Sequence, residues 1–286
     1  MQGQALGVRR RPRWRVAVTI AVVMVLIVGA LGVALVLGQR SLIYFPDRTD
    51  PGSVTDRALN ARDVEFTTED GLVLRTWQIE PSTSANGVAV LYMPGNGGNR
   101  LDRLDVAHDI AALGYIVLLL EYRGYGGNPG HPTEDGLAMD ARAAGAFLNQ
   151  QGFSTNRTVY VGESIGTGVA ARLASTNLPA AVLLRSPFTS MVDMGKHLYP
   201  WLPVSLILKD RFETMKYLSS ITVPMTVLAG GADDIVPAAQ SKTVADNAPD
   251  LFQFTVVDGA GHNDDIWFSP YMATQVDALA QHALSQ

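Results

Sequence analysis

The sequence predicts an α/β fold: a doubly wound, mostly parallel sheet with a small helical insertion and an N-terminal transmembrane helix. Three observations lead there. Strand-like apolar runs alternate with helical patterns over roughly 220 residues, the rhythm of a sheet covered by helices. The inner runs are apolar without interruption, as strands buried on both faces are. Finally, Val159-Tyr160-Val161 breaks at Gly162-Glu163-Ser164-Ile165-Gly166 before a small-residue helical stretch, which reads as a sharp strand-to-helix turn.

The chain opens with Arg9, Arg10, Arg11, Arg13 and Arg15, and no acid precedes Asp47. This makes residues 1–15 a basic tail. Val16 to Gly38 follows, 23 residues without a charge. As a helix it spans about 34 Å, enough for the hydrocarbon core of a bilayer. A cleaved signal peptide has an apolar region of about 7–15 residues and a small-residue cleavage site; Leu35-Val36-Leu37-Gly38-Gln39 fits poorly. Residues 16–38 are therefore expected to be a retained signal-anchor. The arginines then stay in the cytoplasm and the rest of the chain lies outside it.

Residues 39–62, with Pro46, Pro51 and Gly52, read as an irregular linker, and 63–286 as the globular domain. Val64–Thr67 and Leu72–Ile79 flank Glu69-Asp70-Gly71 and form a hairpin. Next come strand Val88–Met93, helix Arg100–Leu113, strand Tyr115–Glu121 and helix Glu134–Gln151. Strand Thr158–Val161, helix Ser164–Ser175 and strand Ala181–Leu184 continue the alternation. After an interruption it resumes with strand Met225–Ala229, helix Ala238–Asn247, strand Phe252–Val257 and a helix from about Asp264. The interruption, about 188–223, is amphipathic and contains Pro200, Trp201 and Pro203, which predicts short helices forming a cap.

Composition narrows the function. Of 286 residues, 47% are hydrophobic and 17% charged, with no cysteine, so disulfides, thiolate metal sites and cysteine nucleophiles are excluded. Beyond the basic tail, acids outnumber bases, the wrong sign for holding phosphates, so nucleic acid is not an expected partner. No metal-binding pattern and no cofactor motif is present. Gly124-Tyr125-Gly126-Gly127 lacks the lysine and helix of a phosphate loop and reads as structural.

Ser164, held in a tight turn between Gly162 and Gly166, has the setting of a nucleophile. A serine hydroxyl needs a base, normally a histidine oriented by a carboxylate. His108, His197 and His282 fall on helical stretches and His131 in a loop. His262 follows strand Phe252–Val257 through a short loop, at the strand end where open α/β sheets hold ligands. Met225–Ala229 likewise runs into Asp233 and Asp234. Neighbouring side chains point apart, and Asp233 is the one expected to face His262. Asp264 and Asp265 read as caps of the last helix. Two backbone donors should meet the developing oxyanion: the N–H of Ile165, and the N–H of Asn96 in the turn Pro94-Gly95-Asn96-Gly97-Gly98-Asn99.

With these residues in hand, the chain resembles the α/β-hydrolase superfamily, and more narrowly its membrane-anchored serine hydrolases of the bud-emergence-suppressor-like branch. The resemblance rests on Leu42-Ile43-Tyr44-Phe45-Pro46, Tyr92 to Asn99, Tyr122-Arg123-Gly124-Tyr125-Gly126 and Gly162 to Thr167. It continues through Ser186 to Ser190, Asp233 to Pro237 and Gly261-His262-Asn263-Asp264. It implies a triad of Ser164, Asp233 and His262. Pro94 and Glu121 depart from the family pattern, which usually has histidine and aspartate there. Relatives of this kind include lysophospholipid lipases and protein depalmitoylases, which implies hydrolysis of acyl esters or thioesters.

The expectation is a membrane-tethered serine hydrolase acting on acyl-lipid or other acylated substrates, with the bilayer as partner through residues 16–38. Met191, Leu198 and Trp201 in the insertion are expected to line an acyl pocket. The alternatives are an acyltransferase or peptidase with the same triad, or a non-catalytic membrane-tethered binding protein.

Overall fold

A computed structural model describes residues 13–57 and 60–286. The chain divides into two compact units, the first ending at Leu42 and the second running from Ile43 to Gln286. In the first unit, helix α1 (Arg13–Gly38) is followed by a 3-10 turn, Gln39–Leu42. The helix is apolar all round, the pattern of a helix surrounded by apolar material. Among the described residues it is the one helix long and apolar enough to cross a membrane. Residues 1–12 of the expected basic tail lie outside the described residues.

In chain order the second unit contains β1 (Phe45–Pro46), β2 (Ala61–Thr67), β3 (Val73–Ile79), β4 (Ala89–Met93), β5 (Gly97–Gly98), helix α2 (Leu104–Ala112) and β6 (Ile116–Leu119). Helix α3 (Glu134–Gln150), β7 (Thr158–Glu163), α4 (Ile165–Ala174) and β8 (Ala181–Arg185) follow. Then come α5 (Met191–Leu198), α6 (Val204–Ile207), α7 (Thr214–Leu218), β9 (Met225–Gly230), α8 (Ala238–Asp246), β10 (Leu251–Val257) and α9 (Pro270–Leu284). Eight strands form one sheet in the order β10-β9-β8-β7-β4-β6-β3-β2. From β10 to β6 every pairing is parallel, whereas β3 pairs antiparallel with both β6 and β2.

Side-chain alternation builds two cores. Leu91, Tyr160, Val182 and Val227 point to one face, against Leu137 and Leu148 of α3, Val169 of α4 and Val244 of α8. Val90, Val161 and Leu183 point to the other, against Ile110 of α2 and Val276 and Leu279 of α9. The chain leaves β4 through α2 on one face and leaves β7 through α4 on the other. These two strands are neighbours, so their C-terminal ends flank the crevice where the winding reverses, the usual ligand position in open α/β sheets.

The stretch 39–62 is irregular only in part, contrary to its reading as a linker. Ile43, Tyr44 and Val54 are buried, and Phe45–Pro46 pairs in parallel with Gly97–Gly98. These side chains are apolar and enter the core of the second unit, so the chain there is held on the domain. Within 188–223, α5 ends where Tyr199 leaves helical geometry before Pro200, and α6 starts just after Pro203.

Candidate active site

Ser164 has φ 52° and ψ −117°, a backbone conformation rare outside glycine. Such strain persists only where the surroundings over-determine it, and here they do. A Cβ on Gly166 would lie 2.2 Å from the Met93 carbonyl oxygen, and one on Gly162 2.7 Å from that of Gly166. The absence of side chains lets α4 start hard against the end of β4. Ser164 is 8% exposed, shielded yet reachable.

The structure brings Ser164, His262 and Asp233 into one hydrogen-bonded chain from three distant segments. His262 Nε2 lies 3.1 Å from Ser164 Oγ, and His262 Nδ1 lies 2.7 Å from Asp233 Oδ2. An ionised carboxylate only accepts, so Nδ1 carries the proton and Nε2 offers its lone pair to the serine. Asp233 Oδ2 also accepts from Ser186 Oγ at 2.9 Å, and Oδ1 accepts from the N–H groups of Ile235 and Val236 at 3.0 and 2.7 Å. Burial pushes the Asp233 carboxyl up, but the donors from His262, Val236 and Ser186 outweigh it, and its pKa falls below the ordinary aspartate value. Asp234 is exposed, and His131 and His197 are exposed as well. His282 stacks on Phe252, away from the site.

The loop that carries His262 is held at several atoms. Arg185 Nη1 donates to the His262 carbonyl at 2.8 Å, and Trp267 Nε1 to that of Gly261 at 2.7 Å. Asp264 Oδ2 accepts from Gly261 N at 2.7 Å, so this acid closes the loop; Ser269 caps α9 in its place. That corrects the expectation of Asp264 and Asp265 as caps of the final helix: a 3-10 turn, Asp265–Phe268, intervenes. The Asp233 loop is tied to the same segment by Ala232 N to Ala260 O at 2.9 Å.

Beneath the serine lies a buried charge cluster that sequence reasoning missed. Glu163 Oε1 takes a 2.7 Å bond from Arg103 Nη2, and its Oε2 a 3.0 Å bond from the Tyr92 hydroxyl. Arg185 Nη2 sits 3.0 Å from Glu163 Oε1, near enough for charge pairing but out of line for a hydrogen bond. Burial raises the glutamate, and the two guanidinium groups overcome it and bring its pKa to about 2. A signal existed: Glu163 and Arg185 end adjacent apolar strands and stand in register. Ser186, directly after β8 and at φ 51°, is the other residue whose part went unread.

Asn96 and Ile165 lie on the two elements that flank the crevice, the turn after β4 and the first residue of α4. The N–H of Ile165 lies in the first helical turn, where no intrahelical acceptor exists. The Asn96 side chain donates to Ile43 O at 2.6 Å, and its carbonyl accepts from Phe45 N at 2.9 Å and Tyr125 Oη at 2.8 Å. Its own N–H meets no acceptor among the described residues. The expected acyl pocket is not formed as read. Met191 is half-buried against the core, but Leu198 is 54% and Trp201 79% exposed. Helix α5 turns Val192 and Met194 inward, and after the break before Pro200, Trp201 and Leu206 stand at the surface while Val204 is buried.

Comparison with known proteins agrees with this architecture. An uncharacterised Mycobacterium tuberculosis protein is 44% identical over 227 residues, 79% of this chain and 81% of that protein. The α/β-hydrolase domain-containing protein WAV2 of Arabidopsis thaliana is 30% identical over 282 residues, covering 88% of this chain and 91% of its own. Protein bem46 of Schizosaccharomyces pombe is 30% identical over 215 residues, 71% of this chain and 72% of that protein. Among solved structures, an esterase of Pyrococcus furiosus superposes with a TM-score of 0.68 at 21% identity, covering 85% of this chain and 98% of that one, which speaks for the fold. No protein-family model matches. The chain belongs to the α/β-hydrolase superfamily, in the branch that includes bem46 and WAV2.

Proposed function

We propose that the protein is a serine hydrolase that cleaves carboxylic esters or thioesters of acylated substrates through an acyl-enzyme. Ser164 Oγ attacks the acyl carbonyl as His262 Nε2 takes the hydroxyl proton. Asp233 holds the imidazole and stabilises its charged form. The N–H groups of Ile165 and Asn96 donate to the tetrahedral oxyanion. Losing one such donor typically costs about 2.7–4 kcal/mol of barrier. The leaving alcohol or thiol takes the proton from His262, and water, deprotonated by the same nitrogen, releases the acyl group. The observation that carries this reading is the Asp233–His262–Ser164 chain, at 2.7 and 3.1 Å, on a serine held at φ 52°.

Residues 16–38 serve as a membrane anchor in this reading, with the basic tail cytoplasmic and the hydrolase domain, from Ile43 with its cap at 188–223, outside. The apolar helix supports the anchor. Leu198, Tyr199, Trp201 and Leu206, all more than half exposed on one short stretch of the cap, support a lipid or lipidated substrate. The test is a panel of p-nitrophenyl esters and acyl thioesters of increasing chain length, run on wild type and Ser164→Ala. Hydrolysis that vanishes in the variant is the expected result; equal turnover by both proteins contradicts it.

A further inference from the structure

The turn that carries the second oxyanion donor, Pro94-Gly95-Asn96-Gly97-Gly98, has little stiffness of its own, with three glycines in five residues and Gly98 at φ 77°. An oxyanion donor lowers a barrier only if it is already in place when charge develops. The turn's carbonyls at Pro94, Asn96 and Gly97 accept from Tyr122 Oη, Tyr125 Oη and Arg103 Nη1 at 3.2, 2.8 and 3.1 Å, and its longest run of backbone bonds is to the segment that starts directly after the N-terminal unit, at Ile43. Phe45–Pro46 pairs in parallel with Gly97–Gly98. Phe45 N donates to Asn96 O at 2.9 Å, Asn96 Nδ2 to Ile43 O at 2.6 Å, and Asp47 N to Gly98 O at 3.0 Å. Asn99 Nδ2 reaches Asp47 Oδ2 at 3.1 Å, and Gly126 N donates to Asp47 O at 2.8 Å.

The strap is itself anchored in the core. Ile43 and Tyr44 are buried, the Tyr44 hydroxyl donates to Asp210 Oδ2 at 3.1 Å, and its ring meets Phe212 edge-on. Phe212 in turn packs against Gly168 of α4, the helix whose first residue supplies the other donor. The carbonyl and side chain of Asn96 are therefore both engaged, and its N–H is left for a ligand.

We propose that residues 43–47 are a positioning strap that sets the Asn96 N–H in the oxyanion hole, so that the residues leaving the N-terminal helix also complete the hydrolytic site. This rests on the hydrolase reading above. Neither Ile43 nor Phe45 touches substrate in this account; they act through Asn96.

The experiment measures kcat and KM of the full-length chain with a p-nitrophenyl ester for Asn96→Ala, which removes the clamp on Ile43, for Phe45→Pro, which removes the N–H to Asn96 O, and for the double variant. Each single change is expected to lower kcat by about 10- to 100-fold with KM within about twofold and a retained cooperative melt. Both loosen one peptide, so the double variant should lose no more than about threefold beyond the worse single. A folded single variant with kcat within twofold of wild type, or losses that multiply, overturns the strap. If a strap variant does not fold, Tyr44→Phe, which deletes the bond from the strap to Asp210, must show a kcat-specific loss; unchanged kcat in that folded variant also overturns the strap. An active wild type with unaffected strap variants removes the strap alone, whereas Ser164→Ala with wild-type turnover overturns the hydrolase reading and the strap together.

Discussion

Four donors converge on the Asp233 carboxylate, from His262, Ser186, Ile235 and Val236, and they keep it ionised despite its burial. Asp233→Asn preserves the shape but removes the acceptor that selects the imidazole tautomer. It is expected to lower kcat by about 10⁴-fold in a folded protein, read from steady-state kinetics. Ser186→Ala removes one donor of four and leaves the tautomer in place, so a loss of only about 3- to 10-fold is expected. The serine, acid and histidine were legible because each sits where an apolar run ends, and the acid at 233 was separable from its neighbour because adjacent side chains diverge. Ser186 was not legible, and Arg185 left only the signal of a charge ending an apolar strand. Their parts arise because β8 lies between β7, which ends at Glu163, and β9, which leads to Asp233, an order of strands in the sheet that no local pattern states.

The strand-to-helix elbow works because nothing can be added to it. Gly166→Ala would place a methyl 2.2 Å from the backbone oxygen of Met93, which cannot move aside without shifting β4. Overpacking typically costs about 1–3 kcal/mol, and a clash with backbone belongs at or above the top of that range. The variant should therefore melt several degrees lower and lose most activity, checked by thermal denaturation alongside the ester assay. The chain order of the eight strands of the main sheet and the helices that cover it was readable, since the periods of strand and helix differ so plainly, whereas the short pair β1 and β5 was not. What the insertion packs against was not. Its amphipathic pattern promised an interior acyl pocket, yet α5 is only two turns long, and the break before Pro200 leaves Leu198 and Trp201 at the surface. Trp201→Ser combined with Leu206→Ser is accordingly expected to slow hydrolysis of a long-chain acyl ester embedded in vesicles about fivefold, with a soluble acetyl ester changed less than twofold. Equal effects on both substrates would contradict the lipid-facing part of the reading.

At the scale of the whole molecule, the buried Glu163–Arg103–Arg185 cluster ties acid stability to the site. The glutamate has a pKa of about 2 in place of its ordinary 4.5, so its stabilising contribution is complete above 4.5 and is lost as pH falls towards 2. The difference is on the order of 3 kcal/mol. Glu163→Gln should flatten that part of the stability–pH curve, measured by urea denaturation between pH 5 and pH 2, and should also loosen the His262 loop through Arg185. The hydropathy of the first forty residues made the N-terminal helix plain. The firm seat of residues 43–47 was hidden, because the apolar run Ile43-Tyr44-Phe45 is too short to show a period and stands in a stretch otherwise rich in polar residues and proline. The most direct test of the central claim is mass spectrometry of the folded chain after exposure to a fluorophosphonate. A single adduct on the peptide containing Ser164, absent in Ser164→Ala and formed at least 100-fold more slowly in His262→Ala, is the predicted result. No adduct on folded wild type, or one formed equally fast without His262, would contradict the account.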